Sequence, residues 1–239
     1  PWCPVSVTPD PRPAAPAEAV AGLLAVHPEL VALGEAFAAA GHELALVGGP
    51  VRDLLLRRPV VDVDLTTDAR PEVVQALLGP LAEAQWDVGI RFGTVGAMVG
   101  GQRVEVTTYR AESYDADSRK PEVSYGDRLD DDLLRRDFTV NAMALRLPSL
   151  EFVDLHDGLA DLAAGVLRTP AAPELSFGDD PLRMMRAARF VSQLGFTVAE
   201  DAVAAMTAMA DRLAIVSAER VRDELVKLVL GDHPRQGLA

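Results

Sequence analysis

The stretch LVGGPVRDLLLRRPVVDVDLTT, residues 46–67, decides how the rest of the chain is read. An apolar run ends at Gly48-Gly49, and Pro50 suits the first turn of a helix, where its missing N–H costs nothing. Val51 to Arg57 supplies that helix, and Val61 to Thr66 reads as the next strand. On it Val61, Val63 and Leu65 alternate with Asp62, Asp64 and Thr66, so two carboxylates at i and i+2 share a face. Such a pair can hold a hard divalent cation, which prefers oxygen ligands. Glycines at a strand-to-helix turn let a phosphate approach the backbone, and the helix start offers free N–H groups. An isolated Asp-x-Asp is more often two solvated residues on an edge strand. The glycine turn before it and Thr66-Thr67 after it favour a triphosphate site.

Upstream, Ala17 to Ala40 is rich in alanine and leucine and reads as two helices, the second from Pro28. Gly41 is placed to end it in the left-handed conformation. Glu43 to Val47 is a short strand, and downstream Arg70 to Leu78 is a helix. Thr94 to Val99 and Gln102 to Arg110 form a hairpin through Gly100-Gly101. Its second strand puts Glu105 on a polar face with Arg103 and Thr107, a third carboxylate for the Asp62/Asp64 pair. Ala111 to Asp127 is a long polar loop, of a length that in a compact domain is functional or disordered. Leu129 to Arg136 is helical and Thr139 to Leu147 a strand. Beyond Asp157 the period is helical: Asp179 to Leu194, Ala199 to Met209, and Ala218 to Leu230, capped by Ser217 and stopped by Gly231. The fold class is therefore α+β. A flexible lead-in at 1–16 precedes a sheet-and-helix head over 17–155 and an all-α domain over 156–239.

With 239 residues, 49% of them hydrophobic, the chain can bury a sizeable core. No run of eighteen apolar residues marks a membrane span. The lone cysteine, Cys3, excludes a disulfide framework and a thiolate metal site, and a reducing, cytoplasmic setting fits. The net charge of −13 argues against a wide nucleic-acid grip, so any hold on RNA is local or lies elsewhere in the polypeptide.

Two further segments carry chemistry. In Arg135-Arg136-Asp137-Phe138-Thr139-Val140-Asn141 the arginines can hold phosphate oxygens bidentately, while Asp137 and Asn141 can pair with ribose hydroxyls. The plainer reading is a basic helix C-terminus, which the helix dipole favours. Asp179-Asp180-Pro181-Leu182-Arg183 opens a helix, so Asp180 and Arg183 can share a pocket. An aspartate accepts from an exocyclic amino group and an arginine donates to a ring nitrogen or carbonyl, which is a way to read a base edge. An intrahelical ion pair is the bland alternative. Arg186 and Arg189 extend a stripe on that helix, either towards phosphates or into solvent. His156-Asp157 lacks further spaced ligands and reads as a plain loop, and Met184, Met185, Met206 and Met209 read as core.

Taken together, LVGGPVRDLLLRRPVVDVDLTT (46–67), RVEVTTYR (103–110), LLRRDFTVNAMAL (133–145), DDPLRMMRAARF (179–190) and ERVRDELVKLVLG (219–231) resemble the bacterial (class II) tRNA nucleotidyltransferases. That group comprises the CCA-adding enzymes and their relatives the bacterial poly(A) polymerases. The resemblance implies a nucleotidyltransferase-type head with a mixed β-sheet, followed by a helical neck that selects the base. It implies transfer of CMP and AMP from CTP and ATP to the 3′ end of tRNA by two Mg²⁺ ions. Asp62, Asp64 and Glu105 match the catalytic metal-binding carboxylates. Gly48, Gly49 and Arg52 match the phosphate-contacting turn, and Arg136, Asp137 and Asn141 the ribose-recognising segment. Asp179, Asp180 and Arg183, with Arg186 beyond them, match the base-selecting motif, where Asp179 replaces the usual glutamate. Tyr114 to Pro121 matches a loop that helps switch specificity from C to A. Relatives carry body and tail domains that hold tRNA, so the main RNA grip is expected there. A poly(A) polymerase or A-adding enzyme is the alternative activity, and a non-catalytic nucleotide- or RNA-binding module the alternative class.

Overall fold

The computed structural model describes residues 13–60, 62–87, 89–111 and 124–239. The lead-in to residue 12, Cys3 within it, and the loop matched at Tyr114 to Pro121 lie outside the described residues. The strands are β1 (Leu44–Val47), β2 (Val63–Thr67), β3 (Ala84–Trp86), β4 (Thr94–Val99), β5 (Gln102–Thr108), β6 (Arg110–Ala111), β7 (Ser124–Tyr125), β8 (Met143–Leu147), β9 (Phe152–Asp154), β10 (Val166–Leu167) and β11 (Thr197–Val198). Seven of them make one mixed sheet in the order β3-β4-β5-β2-β1-β8-β9. Only β2 and β5 run parallel in it; its other neighbours are antiparallel.

The helices α1 (Pro16–Val26), α2 (Glu29–Ala39), α3 (Gly49–Leu55) and α4 (Pro71–Leu78) precede or interrupt the strands up to β5. The period-two alternation of the strands separates two apolar layers. Leu44 and Leu46 of β1 join Val63, Leu65, Val104 and Val106 against Leu33, Phe37, Val51 and Val74 of the helices. Ala45 and Val47 point the other way, with Tyr109 and Ala144, onto Leu129 and Leu133 of α5 (Leu129–Leu134). The first layer is the main core. Truncating a fully buried ring such as Phe37 would cost about 4 kcal/mol. The second face is only partly covered, which leaves room for a site beside α5.

After β9 come α6 (Gly158–Ala164), α7 (Pro173–Asp179), α8 (Leu182–Leu194), α9 (Glu200–Met209), α10 (Ala218–Val229) and α11 (Pro234–Gly237). Leu162, Leu167, Ala187 and Phe190 belong to the same apolar cluster as the sheet. Met184 is buried with Phe177 of α7, and Met206 and Met209 of α9 pack against that cluster as core methionines, while Met185, also expected in the core, is only half-buried. No single helix among the described residues is long and apolar enough to cross a membrane.

The hairpin at Gly100-Gly101 forms with φ of +60° and +74°, Gly41 ends α2 at φ +80°, and the Ser217 hydroxyl caps α10. Several local expectations need correction: the strand read as Thr139 to Leu147 begins at Met143, after a single 3-10 turn at Thr139–Asn141, and the domain read as all-α over 156–239 carries the short parallel pair β10 and β11. The strand carrying the aspartates begins at Val63, so Asp62 stands in the bend before it. The helix read as Asp179 to Leu194 begins at Leu182, and Asp179 is the last residue of α7, because Pro181 cannot continue a helix from α7. Asp180 is extended at φ −139°, ψ 98°, and its Oδ1 accepts from the Leu182 N–H at 3.1 Å, opening α8 instead.

Candidate active site

A cleft of about 660 Å³ lies where the half-covered sheet face meets α3, α5 and α8. Its floor is the end of β1 with Gly48 and Gly49, then Asp62, Asp64 and Thr107. Gly48 takes φ +76° and ψ −139°, and an added Cβ would stand 3.1 Å from Nη1 of Arg136. Only glycine fits that turn without strain.

Asp64 of β2 is directly opposite Glu105 of β5 across the parallel pair. Burial raises the Asp64 carboxyl above its ordinary value, Glu105 and Asp62 push it further, and Arg136 opposes them. Negative charge is thus concentrated at this edge of the cleft, a donor set that suits a divalent cation. Glu105, however, faces a neighbouring recess, where Nη2 of Arg103 holds it at 2.6 Å. Among the described residues no three His, Cys, Asp or Glu side chains are already gathered as a metal cage.

The opposite wall is basic. Seven arginines and one lysine line the cleft, against four aspartates. A chain with net charge −13 therefore gathers cations locally, which answers the puzzle its composition raised. Arg135 and Arg136 are braced from below by Asp132, whose side chain is fully buried. Arg136 Nη2 lies 2.8 Å from Asp132 Oδ2 and Arg135 Nε 3.1 Å from Oδ1. Burial alone would raise the Asp132 carboxyl, yet the two guanidiniums prevail and hold it at about 2.

A second network joins α3 to α8. Arg52 Nη1 donates to Asn141 Oδ1 at 2.7 Å, and Asn141 Nδ2 donates to Asp137 Oδ1 at 3.0 Å. Asp137 Oδ2 accepts from Arg186 Nη2 at 2.5 Å and from Nε at 2.8 Å. Burial opposes ionisation of Asp137, but Arg186 and these hydrogen bonds keep its pKa low. The guanidiniums of Arg52, Arg186 and Arg189 surround the Phe190 ring at 5.1, 5.8 and 3.9 Å from its centroid.

Arg183 is fixed by Ser176 Oγ at 2.7 Å and by the Arg135 carbonyl, not by Asp180. Asp180 instead accepts from Arg220 Nη2 of α10 at 2.8 Å. Both Asp180 and Arg183 nonetheless line the cleft, together with Asp62, Asp64, Gly48, Gly49, Arg52, Arg136, Asp137, Asn141 and Arg186. Of the residues read from sequence, Glu105 lines the adjoining recess and Asp179 lines neither cavity. Arg110 and Lys227 are additional cations of the wall. Both lie inside stretches that carry the resemblance, 103–110 and 219–231, but the residue pattern gave neither a role, and only proximity in the fold brings them to the cleft. Arg189 joins the wall too, held at 2.5 Å by Glu224.

Residues 44–168 match the family described as the poly A polymerase head domain, and residues 195–239 match a probable RNA- and SrmB-binding site of polymerase A. The CCA-adding enzyme of Lactobacillus helveticus is 47% identical over 198 residues, 82% of this chain and 48% of that protein. That of Lactiplantibacillus plantarum is 45% identical over 205 residues, 85% of this chain and 49% of its own length. The chain thus spans about half the length of these curated relatives. Among solved structures, a Bacillus stearothermophilus CCA-adding enzyme in complex with CTP superposes with TM-score 0.80 at 37% identity, covering 89% of this chain and 50% of that one. A Thermotoga maritima CCA-adding enzyme complexed with tRNA gives 0.78 at 26% identity, covering 94% and 52%. With the head-domain match running through β1, the aspartates, Glu105 and the Arg136–Asn141 segment, the chain belongs to the poly A polymerase head-domain family.

Proposed function

We propose that this chain is the nucleotidyl-transferring part of a CCA-adding enzyme, which moves CMP and AMP from CTP and ATP onto the 3′ end of tRNA. The observation that carries it is the single cleft in which Asp62 and Asp64 face a wall of arginines. The wall matches a triphosphate and the carboxylates match its cation. Relatives solved with CTP and with tRNA support the same reading. Residues 17–155 form the head and 156–239 the neck that reads the base.

The chain's own residues would act as follows. Gly48 and Gly49 admit the phosphates to the backbone, and Arg135 and Arg136 take their charge. The Asp137–Asn141 pair meets the ribose, while Asp180 and Arg183 meet the base edge. Asp62 and Asp64, with Glu105 directly across from Asp64, would hold Mg²⁺. When bound, the cations lower the pKa of the attacking 3′-hydroxyl and neutralise charge on the α-phosphate and the departing pyrophosphate. Asp179 would act on Arg183 as a nearby negative charge. A cytoplasmic setting accords with this substrate.

Incubation of the whole protein with tRNA lacking CCA, CTP, ATP and Mg²⁺ tests the proposal. Ordered addition of two C residues and one A is expected. The family description itself favours one competitor, a poly(A) polymerase. Addition of A alone to unrelated RNA would establish that reading instead.

A further inference from the structure

Three guanidiniums converge on the ring of Phe190 in α8. Arg52 of α3 lies 5.1 Å from its centroid, Arg186 5.8 Å and Arg189 3.9 Å. Like charges repel, so such a gathering needs groups that oppose the repulsion. Arg52 has Asp53 at 2.9 Å, Arg186 has Asp137 at 2.5 Å, and Arg189 has Glu224 of α10 at 2.5 Å. The carboxylates hold the cations from outside, and the ring offers all three a negative face in common. That attraction grows where water is excluded, and Phe190 is only 3% exposed.

The three cations are not equivalent. Arg52 Nη1 donates to Asn141 Oδ1 at 2.7 Å, Asn141 Nδ2 to Asp137 Oδ1 at 3.0 Å, and Arg186 Nε to Asp137 Oδ2 at 2.8 Å. Both ends of this chain of hydrogen bonds return to the Phe190 ring, which closes it into a loop. The ring is anchored in its turn. It stands edge-to-face with the fully buried Phe138, centroids 5.8 Å apart and planes at 89°. Phe190 therefore joins the rigid core to the polar loop, and it lines the cleft itself.

We propose that Phe190 is a positioning residue for nucleotide binding: its ring face fixes Arg52 and Arg186, and through them the Asn141–Asp137 pair. The inference rests on the nucleotide reading of the cleft and adds a residue to which the motifs gave no role. A leucine at this place would fill much of the same volume but has no negative face. Both ends of the hydrogen-bonded chain would then be free to turn. Because Asn141 and Asp137 meet the ribose in that reading, the loss is felt at the ribose.

The test replaces Phe190 with trifluorophenylalanine, fluorinated at the para and both meta positions. This keeps the shape of the ring and drains negative charge from its face. The readout is equilibrium binding of CTP and of dCTP by the whole protein, with no RNA present. CTP binding is expected to weaken about fivefold. Binding of dCTP, which lacks the 2′-hydroxyl, should change less than CTP binding does. The same replacement at Phe37, a fully buried core ring, should leave both affinities as they were. Unchanged CTP affinity, an equal loss for CTP and dCTP, or the same loss from Phe37 overturns the proposal. A protein that binds neither nucleotide refutes the nucleotide reading and this inference with it, an outcome distinct from CTP binding that ignores fluorination.

Discussion

Asp132 lies completely buried beneath Arg136, with 2.8 Å between Oδ2 and the guanidinium Nη2. It also receives Arg135, so one hidden carboxylate aims two of the cleft's cations. Its folded pKa of about 2 is below the ordinary 3.8. The ionised pair therefore contributes its full stability above the ordinary value and loses it as pH falls from about 4 towards 2. A shift of this size is worth about 2 kcal/mol. Asp132→Asn should remove that share of the acid sensitivity, measured as the difference in urea-unfolding free energy between pH 6 and pH 3. An unchanged pH slope would refute the role given to this carboxylate. Asp132→Ala leaves two guanidiniums uncompensated and should cost about 3 kcal/mol.

Asp64→Asn removes one oxygen charge from the crowded edge of the cleft without changing side-chain shape. Nucleotide incorporation should fall at least about a hundredfold, while thermal stability holds or rises, because the repulsion from Glu105 and Asp62 disappears. Chelation of divalent cations with EDTA should abolish incorporation in the wild type and leave Tm nearly unchanged. Activity that survives both treatments would rule out the metal role of this pair.

Gly48 has a left-handed φ of +76° and lies close to Arg136. Gly48→Ala is expected to cost about 2 kcal/mol in stability through backbone strain. It should also raise KM for CTP and ATP together, because the added methyl displaces the Arg136 guanidinium. Thermal denaturation and steady-state kinetics check the two effects separately. A rise in KM for one nucleotide only would contradict a shared phosphate site.

Asp180 reaches into the cleft while its Oδ2 is bound by Arg220, a residue of α10. Arg220→Ala should release that carboxylate and blur the choice of base. The expected readout is a severalfold rise in misincorporation of UTP or GTP relative to CTP, with total turnover reduced less than twofold. The pair is half-exposed, so stability should change by less than about 1 kcal/mol. Unaltered selectivity would mean that Asp180 does not read the base.

Much of this was legible in the chain. The glycine turn, the aspartates, the hairpin through Gly100-Gly101 and the Ser217 cap each follow from local stereochemistry. The weak elements were not: β3 has three residues, and β6, β7, β10 and β11 have two each. A strand that short has no period to read, and exists because a neighbour offers hydrogen bonds. The helix start at Asp180-Pro181 was announced by the proline, whereas the separate helix α7 just before it was not read.

The sequence alone pointed to the proposed class of chemistry through residue types at short spacing: Asp62 and Asp64 both reach the cleft, although Asp62 stands in the bend before β2, and Asp137 and Asn141 are hydrogen-bonded. Partnership across distance was decided only by the tertiary structure. Arg183 is oriented by Ser176 and the Arg135 carbonyl, Asp180 belongs to Arg220, and Glu105 faces Arg103 and the recess. The physical reason is that a charge takes the nearest partner that packing brings within reach. For these residues that partner came from another element more often than from the motif itself.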